Sequence, residues 1–124
     1  MKENVVLDKS LEFAVRIVKL GQYLNGEKKE YVLSKQILRS GTSIGANVTE
    51  ANDAISKADF LNKIYIALKE CAETLYWLQL LVRTDYLTQE QYDSMYTDGL
   101  ELKRLLTSIA KSTRDSIKEG KSHD

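Results

Sequence analysis

No proline interrupts this chain of 124 residues, and the chain contains only six glycines. Proline breaks helices because its ring removes a backbone donor and clashes with the preceding turn. Long tracts rich in leucine, alanine, glutamate and lysine favour helix, since these residues are good helix formers. We therefore predict an all-α protein. The length fits a single domain, residues 1–124, and such a domain can bury roughly two thirds of the surface that its unfolded chain exposes.

The hydrophobic pattern divides the chain into four amphipathic stretches with short polar connections. We expect helices over about residues 8–25, 31–52, 57–84 and 88–118, and a frayed tail over residues 119–124. The first helix combines two parallel apolar stripes, one with Leu11 and Val18 and the other with Phe13 and Ile17, into one broad face. A connection as short as residues 26–30 favours an antiparallel neighbour. These features predict an up-down-up-down antiparallel four-helix bundle.

Polar residues mark where three of the helices are expected to start. Asp8 is a candidate N-cap of the first helix. Ser56 and Thr88 begin the capping-box sequences SKAD and TQEQ, at the starts of the third and fourth helices. In such a box, the first side chain accepts a hydrogen bond from a backbone N–H of the first turn that would otherwise have no partner.

An uncharged stretch dominates the second helix. Ten residues without charge lie between Arg39 and Glu50, in a chain of which 29% is charged. Gly41 and Gly45 each cost about 1 kcal/mol in a helix interior relative to alanine, so a loop is the alternative interpretation. We favour a helix because glycines four residues apart let neighbouring backbones approach closely. Its side away from the core carries only uncharged residues, which we expect another helix or another subunit to cover: Leu38, Thr42, Gly45, Ala46 and Thr49.

The third helix is apolar almost all round over residues 75–82. A helix that is apolar on every side must be covered on every side, whereas a four-helix bundle covers one face of each member. The side chains of Tyr76, Trp77 and Leu80, together with Gly45 and Ala46, are therefore candidates for a subunit interface, where aromatic residues are enriched. The alternative is that Trp77 and Leu80 pack on a loop, the tail or the core of the same chain.

A line of polar residues follows the flank of the second helix. Ser40, Ser43, Asn47 and Glu50 recur at three-four-three spacing beside the core stripe, and their partly desolvated polar atoms need hydrogen-bond partners. We interpret this line as a ladder of hydrogen bonds that fixes the register between helices or subunits. A ligand pocket and a catalytic site are the alternatives.

Three carboxylates, those of Glu50, Glu70 and Glu73, could in principle form an acid–base pair or a metal site. Bundles that bind two metals supply paired Glu-x-x-His motifs, but the only histidine of this chain is His123, near its end. We therefore expect no metal, no cofactor and no enzyme activity.

The last helix carries basic residues at seven-three-four-three spacing: Arg104, Lys111, Arg114, Lys118 and Lys121. Repeated around an oligomer, such stripes could bind a phosphate backbone. The alternative is a solvated face that complements the helix dipole. No aromatic residue lies among these bases, which removes one marker of single-strand binding. The 18 basic and 18 acidic residues cancel, so the chain has no overall positive field.

Cellular location is constrained by the lone cysteine and by the lengths of the apolar tracts. Cys71 has no second cysteine with which to form an internal disulfide, and a thiol in a helical apolar pattern is usually a small buried hydrophobe. No tract reaches the roughly eighteen apolar residues of a membrane span, and the first ten residues lack a signal-peptide core. We expect a soluble, cytoplasmic protein without membrane association.

Several short motifs combine in the second and third helices: Arg39-Ser40, Ser43-Ile44, NVTEA at residues 47–51, SKADF at residues 56–60 and Glu73-Thr74. Together they resemble the pattern of the four-helix-bundle proteins encoded in intervening sequences of bacterial 23S ribosomal RNA. The likeness covers nearly the whole chain, because its length and helix order match as well. The resemblance marks six family-motif residues: Arg39, Ser40, Ser43, Asn47, Glu50 and Glu73.

This resemblance implies bundles that assemble into five-fold rings. The chain is also similar to the accessory protein of diversity-generating retroelements, and that similarity implies a pentamer that binds nucleic acid and a reverse transcriptase through basic surfaces. The sequence departs from these proteins in its zero net charge and in Ala51, which stands where glycine is common.

Three functional hypotheses follow, of which the third is an enzyme that acts on a phosphoester with the Glu50 and Glu73 carboxylates. The first is a non-enzymatic, homo-oligomeric scaffold or accessory protein, pentameric by resemblance, with RNA or an RNA-handling enzyme as its partner. The second is a purely structural or protein-interaction module that binds no nucleic acid, which the zero net charge favours.

Overall fold

The computed structural model describes residues 2–122, which form four helices joined by short connections: α1 (Lys2–Gly26), α2 (Leu33–Asn52), α3 (Lys57–Arg83) and α4 (Gln89–Ser122). Residues 2–122 contain no strand. α2 packs against α1 and α3, and α4 packs against α3 and α1, while no Cα atoms of the diagonal pairs lie within 8 Å of each other. The predicted all-α, up-down-up-down four-helix bundle is confirmed.

The core contains aliphatic side chains from all four helices. They recur at intervals of three or four residues, which places them on one face of each helix. The fully buried members include Ile17, Leu24, Ile37, Ile44, Ile64, Leu78, Leu81, Leu102 and Leu106. Cys71 belongs to the same core, and its Sγ–H donates to the Gly99 carbonyl oxygen at 3.4 Å. Burial raises the pKa of the Cys71 thiol to about 11, so the group stays protonated at neutral pH.

Two helix ends lie beyond their expected positions. α1 begins at Lys2, and Asp8, the expected N-cap, is an exposed residue inside the helix. The physical reason is that Val6 is fully buried in the core, so tertiary packing extends the helix past Asp8. α4 continues to Ser122, so residues 119–122 are helical rather than frayed. Residues 123 and 124 of the expected tail lie outside the described residues.

The start of α2 is set by a side chain from the preceding turn. The buried Glu30 carboxylate accepts hydrogen bonds from the backbone N–H groups of Val32 (3.2 Å), Leu33 (3.0 Å) and Ser34 (2.8 Å). These are the N–H groups that a helix start leaves without an intrahelical partner. Because the carboxylate binds them from outside, α2 begins at Leu33 and not at the expected residue 31.

The other two caps match the sequence prediction. The Gln91 N–H donates to Thr88 Oγ1 at 3.1 Å, and the Thr88 N–H donates to Gln91 Oε1 at 2.9 Å, which completes a reciprocal capping box. The Asp59 N–H donates to Ser56 Oγ at 3.0 Å, so Ser56 is the N-cap of α3. The sequence alone was sufficient to predict these two caps, because the donor and the acceptor of each cap are only three residues apart.

At the two glycines of α2, α1 leaves little room for an added side chain. A Cβ atom built on Gly41 would lie 2.7 Å from Cγ1 and 2.8 Å from Cγ2 of Ile17. A Cβ on Gly45 would lie 3.2 Å from Ser10 Oγ and 3.6 Å from the Ser10 carbonyl carbon. The stretch is helical, so the loop alternative is wrong, and the close approach that favoured a helix is present.

Gly45 was expected to be covered by another helix or by another subunit. It is half-buried against Ser10 of α1, so another helix of the same chain covers it. Its neighbour Ala46 is exposed.

We predict that Gly41→Ala lowers the free energy of unfolding by about 1–2 kcal/mol. The new methyl group must displace the branched carbons of Ile17, and overpacking of this kind exceeds the helix-propensity gain of alanine. Gly21→Ala is the matched control, because no atom lies within 4 Å of its added Cβ; this change should raise stability by up to about 1 kcal/mol. Urea denaturation followed by circular dichroism measures the free energy of unfolding of both variants. If both substitutions changed this free energy in the same direction, the close approach at Gly41 would be contradicted.

A second prediction concerns the cap of α2. Glu30→Ala should destabilise the protein by about 1–3 kcal/mol, because three backbone N–H groups lose their acceptor. Glu27→Ala removes an exposed carboxylate from the same connection and should change stability by less than about 0.5 kcal/mol. Thermal denaturation compares the two, and a Glu30→Ala variant as stable as Glu27→Ala would show that the cap contributes nothing.

Candidate functional site

The predicted polar ladder begins with an ion-pair cluster between α2 and α3. The Arg39 guanidinium contacts the Glu70 carboxylate at 3.3 Å and forms a second, closer ion pair with Glu73. The same Glu73 oxygen accepts the indole N–H of Trp77 at 3.2 Å. Arg39 and Glu73, both family-motif residues by resemblance, therefore link two neighbouring helices directly.

Next to this cluster lies a buried pair of hydroxyl groups. Thr74 Oγ1 of α3 lies 2.9 Å from Ser40 Oγ of α2, and the two residues are 1% and 0% exposed. Thr74 Oγ1 also lies 2.8 Å from the Glu70 carbonyl oxygen, and Ser40 Oγ lies 3.4 Å from the Ile37 carbonyl oxygen. A hydrogen bond in a dry core strongly favours one alignment of the helices, because breaking it leaves a polar group unpaired.

The remaining ladder residues differ in what they contact. Ser43 Oγ donates to the Arg39 carbonyl at 2.6 Å, and Asn47 Nδ2 donates to the Ser43 carbonyl at 2.9 Å, so both bond within α2. Glu50 forms an ion pair with Lys63 of α3 at 3.0 Å on the protein surface. Among the described residues, no buried side-chain nitrogen or oxygen lacks a hydrogen-bond partner. Arg39, Ser40 and Glu50 thus connect α2 to α3, whereas Ser43 and Asn47 do not.

Of the three carboxylates considered for catalysis, Glu70 and Glu73 meet at Arg39, and Glu50 does not join them. Glu73 is paired with Arg39 and Glu50 with Lys63. Arg39 and Glu50 are eleven positions apart on α2 (50 − 39), which corresponds to about 16 Å along the helix axis. Within residues 2–122, no group of three or more His, Cys, Asp or Glu side chains could hold a metal ion. His123 lies outside the described residues.

The aromatic candidates for a subunit interface divide between core and surface. Trp77 is half-buried and packs against the core, and Leu80 is also half-buried. Tyr76 is 55% exposed and forms an edge-to-face pair with Trp77, with ring centroids 5.1 Å apart. Of this group, Tyr76 offers the most surface to a partner.

An exposed apolar strip on α1 was not found by sequence reasoning. Leu11, Val15 and Val18, spaced four and three residues apart, are 65%, 48% and 41% exposed. Leu38 of α2 is 39% exposed and shares a small cavity of about 120 Å³ with Val18. Leu11 and Val18 belong to the apolar face that the sequence pattern predicts to pack inside the bundle, and for these two residues that prediction is wrong. The available signal was the width of the face, since two full stripes exceed what one bundle interior can cover. We call these four residues the apolar strip.

The predicted basic stripe lies on the surface of α4. Arg104, Lys111, Arg114 and Lys118 are exposed, and none of them forms an ion pair with an Asp or Glu of the described residues. Lys121 belongs to α4, and its side chain is outside the described part of the chain. A shallow depression of about 430 Å³ follows the stripe from Leu100 to Lys111.

An aromatic side chain from α3 lies beside this stripe. Arg114 Nη1 donates to the Tyr65 hydroxyl oxygen at 3.1 Å, and Tyr65 is 39% exposed. Lys69 is exposed and follows Tyr65 by four residues, which places it on the same side of α3. No aromatic residue lies among the bases of α4 itself, and the neighbouring ring comes from α3, which the spacing along α4 could not reveal. We call Tyr65, Lys69, Lys111, Arg114 and Lys118 the basic face.

A double-mutant cycle tests the buried part of the ladder. Ser40→Ala and Thr74→Val should each destabilise the protein by about 1 kcal/mol, and the double variant should lose less than the sum, because the pair shares one hydrogen bond. Thr49→Val removes an exposed hydroxyl that bonds only within α2, so its effect should be smaller and add to that of Ser40→Ala. Urea denaturation provides the free energies, and strict additivity of Ser40→Ala and Thr74→Val would show that the two hydroxyls do not interact.

Comparison with known proteins gives a family and a closely similar structure. The family model of the 23S rRNA-intervening sequence protein matches residues 2–108. A protein of unknown function from the S23 ribosomal protein family of Bacteroides thetaiotaomicron VPI-5482 is 65% identical, with a TM-score of 0.89. The match covers 90% of this chain and 99% of that chain. No curated protein matches this chain. Within residues 2–122, none of the helices combines the length and apolar character needed to cross a membrane. The chain therefore belongs to the family of 23S rRNA-intervening sequence proteins.

Proposed function

We propose that this protein is a non-enzymatic, homo-oligomeric scaffold or accessory protein whose partner is RNA or an RNA-handling protein. The observation that carries the proposal is the apolar strip, which places four aliphatic side chains of one bundle in contact with water. Exposed apolar patches of this kind mark interaction sites, because covering them removes apolar surface from water.

The apolar strip and the residues around it favour a second copy of the chain as the partner that covers the strip. The outer side of α2 next to the strip carries short side chains, with Thr42 half-buried and Ala46 and Thr49 exposed. Short side chains let the backbone of a partner helix approach closely. The family resemblance adds the expectation of a five-fold ring, in which each subunit would contribute the same strip. Tyr76, exposed on α3, is a further candidate contact in such a ring.

RNA is proposed as a partner because of the family and the basic face. The family is named after an intervening sequence of 23S rRNA, and Lys111, Arg114 and Lys118 offer three exposed cations on one side of α4. In a ring, each subunit would add another set of these charges. The competing function, a protein-interaction module without nucleic acid, is favoured by the zero net charge of the chain.

The absence of catalysis is part of the proposal. Its support is the separation of Glu50 from Glu73, each of which is held by a different cation. Arg39 and Glu50 lie about 16 Å apart along the axis of α2, so Glu73, which Arg39 holds on α3, is separated from Glu50, whereas paired catalytic carboxylates lie within about 10 Å of each other. We also propose a cytoplasmic location, which the single, unpaired thiol of Cys71 supports.

The assembly is tested by light scattering coupled to size exclusion. At micromolar concentration we expect a molar mass several times that of one chain, with five chains favoured by the resemblance. Leu11→Glu should shift the mass towards that of a monomer, because it places a charge at the most exposed side chain of the apolar strip.

Ile55→Glu is the matched control for this experiment. Ile55 is 95% exposed in the connection between α2 and α3, so the same chemical change is made on a different surface. The control should retain the mass of the unaltered protein. An unaltered protein that is monomeric would contradict the proposed assembly, and a Leu11→Glu variant of unchanged mass would contradict the role of the strip.

A further inference from the structure

We propose that the basic face binds single-stranded RNA, with one base stacked on Tyr65 and the neighbouring phosphates bound by Lys111, Arg114 and Lys118. The choice of RNA rests on the proposed function. The choice of a single strand, and of these residues, rests on the contacts between α3 and α4.

Arg114 and Tyr65 are in direct contact at the centre of the basic face. The guanidinium donates one hydrogen bond to a neutral phenol oxygen at 3.1 Å, so its positive charge is not neutralised. A guanidinium has five N–H donors, and those that Tyr65 does not occupy can bind a phosphate. The same hydrogen bond holds the tyrosine ring at the surface between the two helices. One contact therefore positions an aromatic ring and an available cation side by side.

Three lysine side chains surround the pair of Arg114 and Tyr65. Lys111 lies three residues before Arg114 and Lys118 lies four residues after it, so all three project from one side of α4. Lys111 and Lys118 are about 10 Å apart along the helix axis. Lys69 contributes a cation from the α3 side, next to Tyr65. Cations thus flank the ring from both helices, as a chain of phosphates on either side of a stacked base requires.

The exposed ring of Tyr65 favours a single strand over a duplex. An exposed tyrosine ring offers stacking to an unpaired base, whereas the bases of an A-form duplex are stacked inside the helix and out of its reach. Combined aromatic stacking and backbone neutralisation is the usual mode for single strands. Because Tyr65 is the feature that separates the basic face from a plain cationic surface, it indicates an unpaired segment.

Fluorescence anisotropy with labelled oligouridine RNA tests the proposal on the full chain. We expect salt-sensitive binding, and weaker binding to a duplex RNA of the same length. Tyr65→Leu should weaken oligouridine binding about five- to a hundredfold, the range for loss of one base–aromatic stack. Tyr65→Phe retains the ring and should retain most of the affinity. Circular dichroism shows whether each variant is folded.

The phosphate contacts are tested through the salt dependence. Lys111→Gln and Lys118→Gln should each reduce the slope of log K against log salt by about 0.7, the value for one phosphate contact on a single strand. Lys35→Gln removes the same charge from an exposed position on α2, away from the basic face, and should leave slope and affinity unchanged.

Three results would overturn the inference. They are equal affinity for duplex RNA, full affinity in the folded Tyr65→Leu variant, and no oligouridine binding by a protein that is otherwise assembled. The last result would leave the proposed oligomer intact and favour a protein partner. A monomeric protein that still binds oligouridine through Tyr65 would instead overturn the oligomer and leave this inference standing.

Discussion

The close approach of α1 to α2 is the constraint on which the rest of the bundle depends. At Gly41 a single added carbon would lie 2.7 Å from Ile17, so the absence of side chains sets the distance between the two helices. Ser10 reaches the backbone of α2 at Gly45 for the same reason. Helices this close leave little room between them, so α1 buries the stripe of Phe13 and Ile17 and leaves Leu11 outside. The small residues of α2 and the exposed apolar side chains of α1 are thus two consequences of one packing arrangement.

The two candidate surfaces lie on different sides of the molecule. The apolar strip follows the pair α1 and α2, whereas the basic face follows the pair α3 and α4. A subunit that associates through α1 and α2 therefore keeps the surface of α3 and α4 accessible. A zero net charge is compatible with a local excess of cations, since residues 103–121 carry six bases and only two acids, Asp115 and Glu119.

The sequence predicted those features that depend on neighbours along the chain. The helix class, the bundle topology and the caps at Ser56 and Thr88 all follow from patterns within a few residues. Features that depend on another helix were missed. Burial of Val6 moved the start of α1, and Tyr65 joined the basic face from a helix 49 residues away from Arg114 in sequence. The Glu30 cap was missed because a charged turn gives no indication that its last carboxylate is buried. Within the ladder, Arg39 and Ser40 contact α3. Ser43 and Asn47 form hydrogen bonds only within α2. The spacing of these residues in the sequence does not predict this difference.

The separation of the two surfaces is the central claim, and amide hydrogen exchange tests it most directly. Exchange is measured by mass spectrometry on the full protein at high and low concentration, and with and without oligouridine RNA. We predict that dilution accelerates exchange in the α1 segment around Leu11 to Val18, and that RNA slows exchange around Tyr65 and Arg114 without changing α1. Protection of α1 by RNA, or exchange in α1 that does not depend on protein concentration, would contradict two separate surfaces.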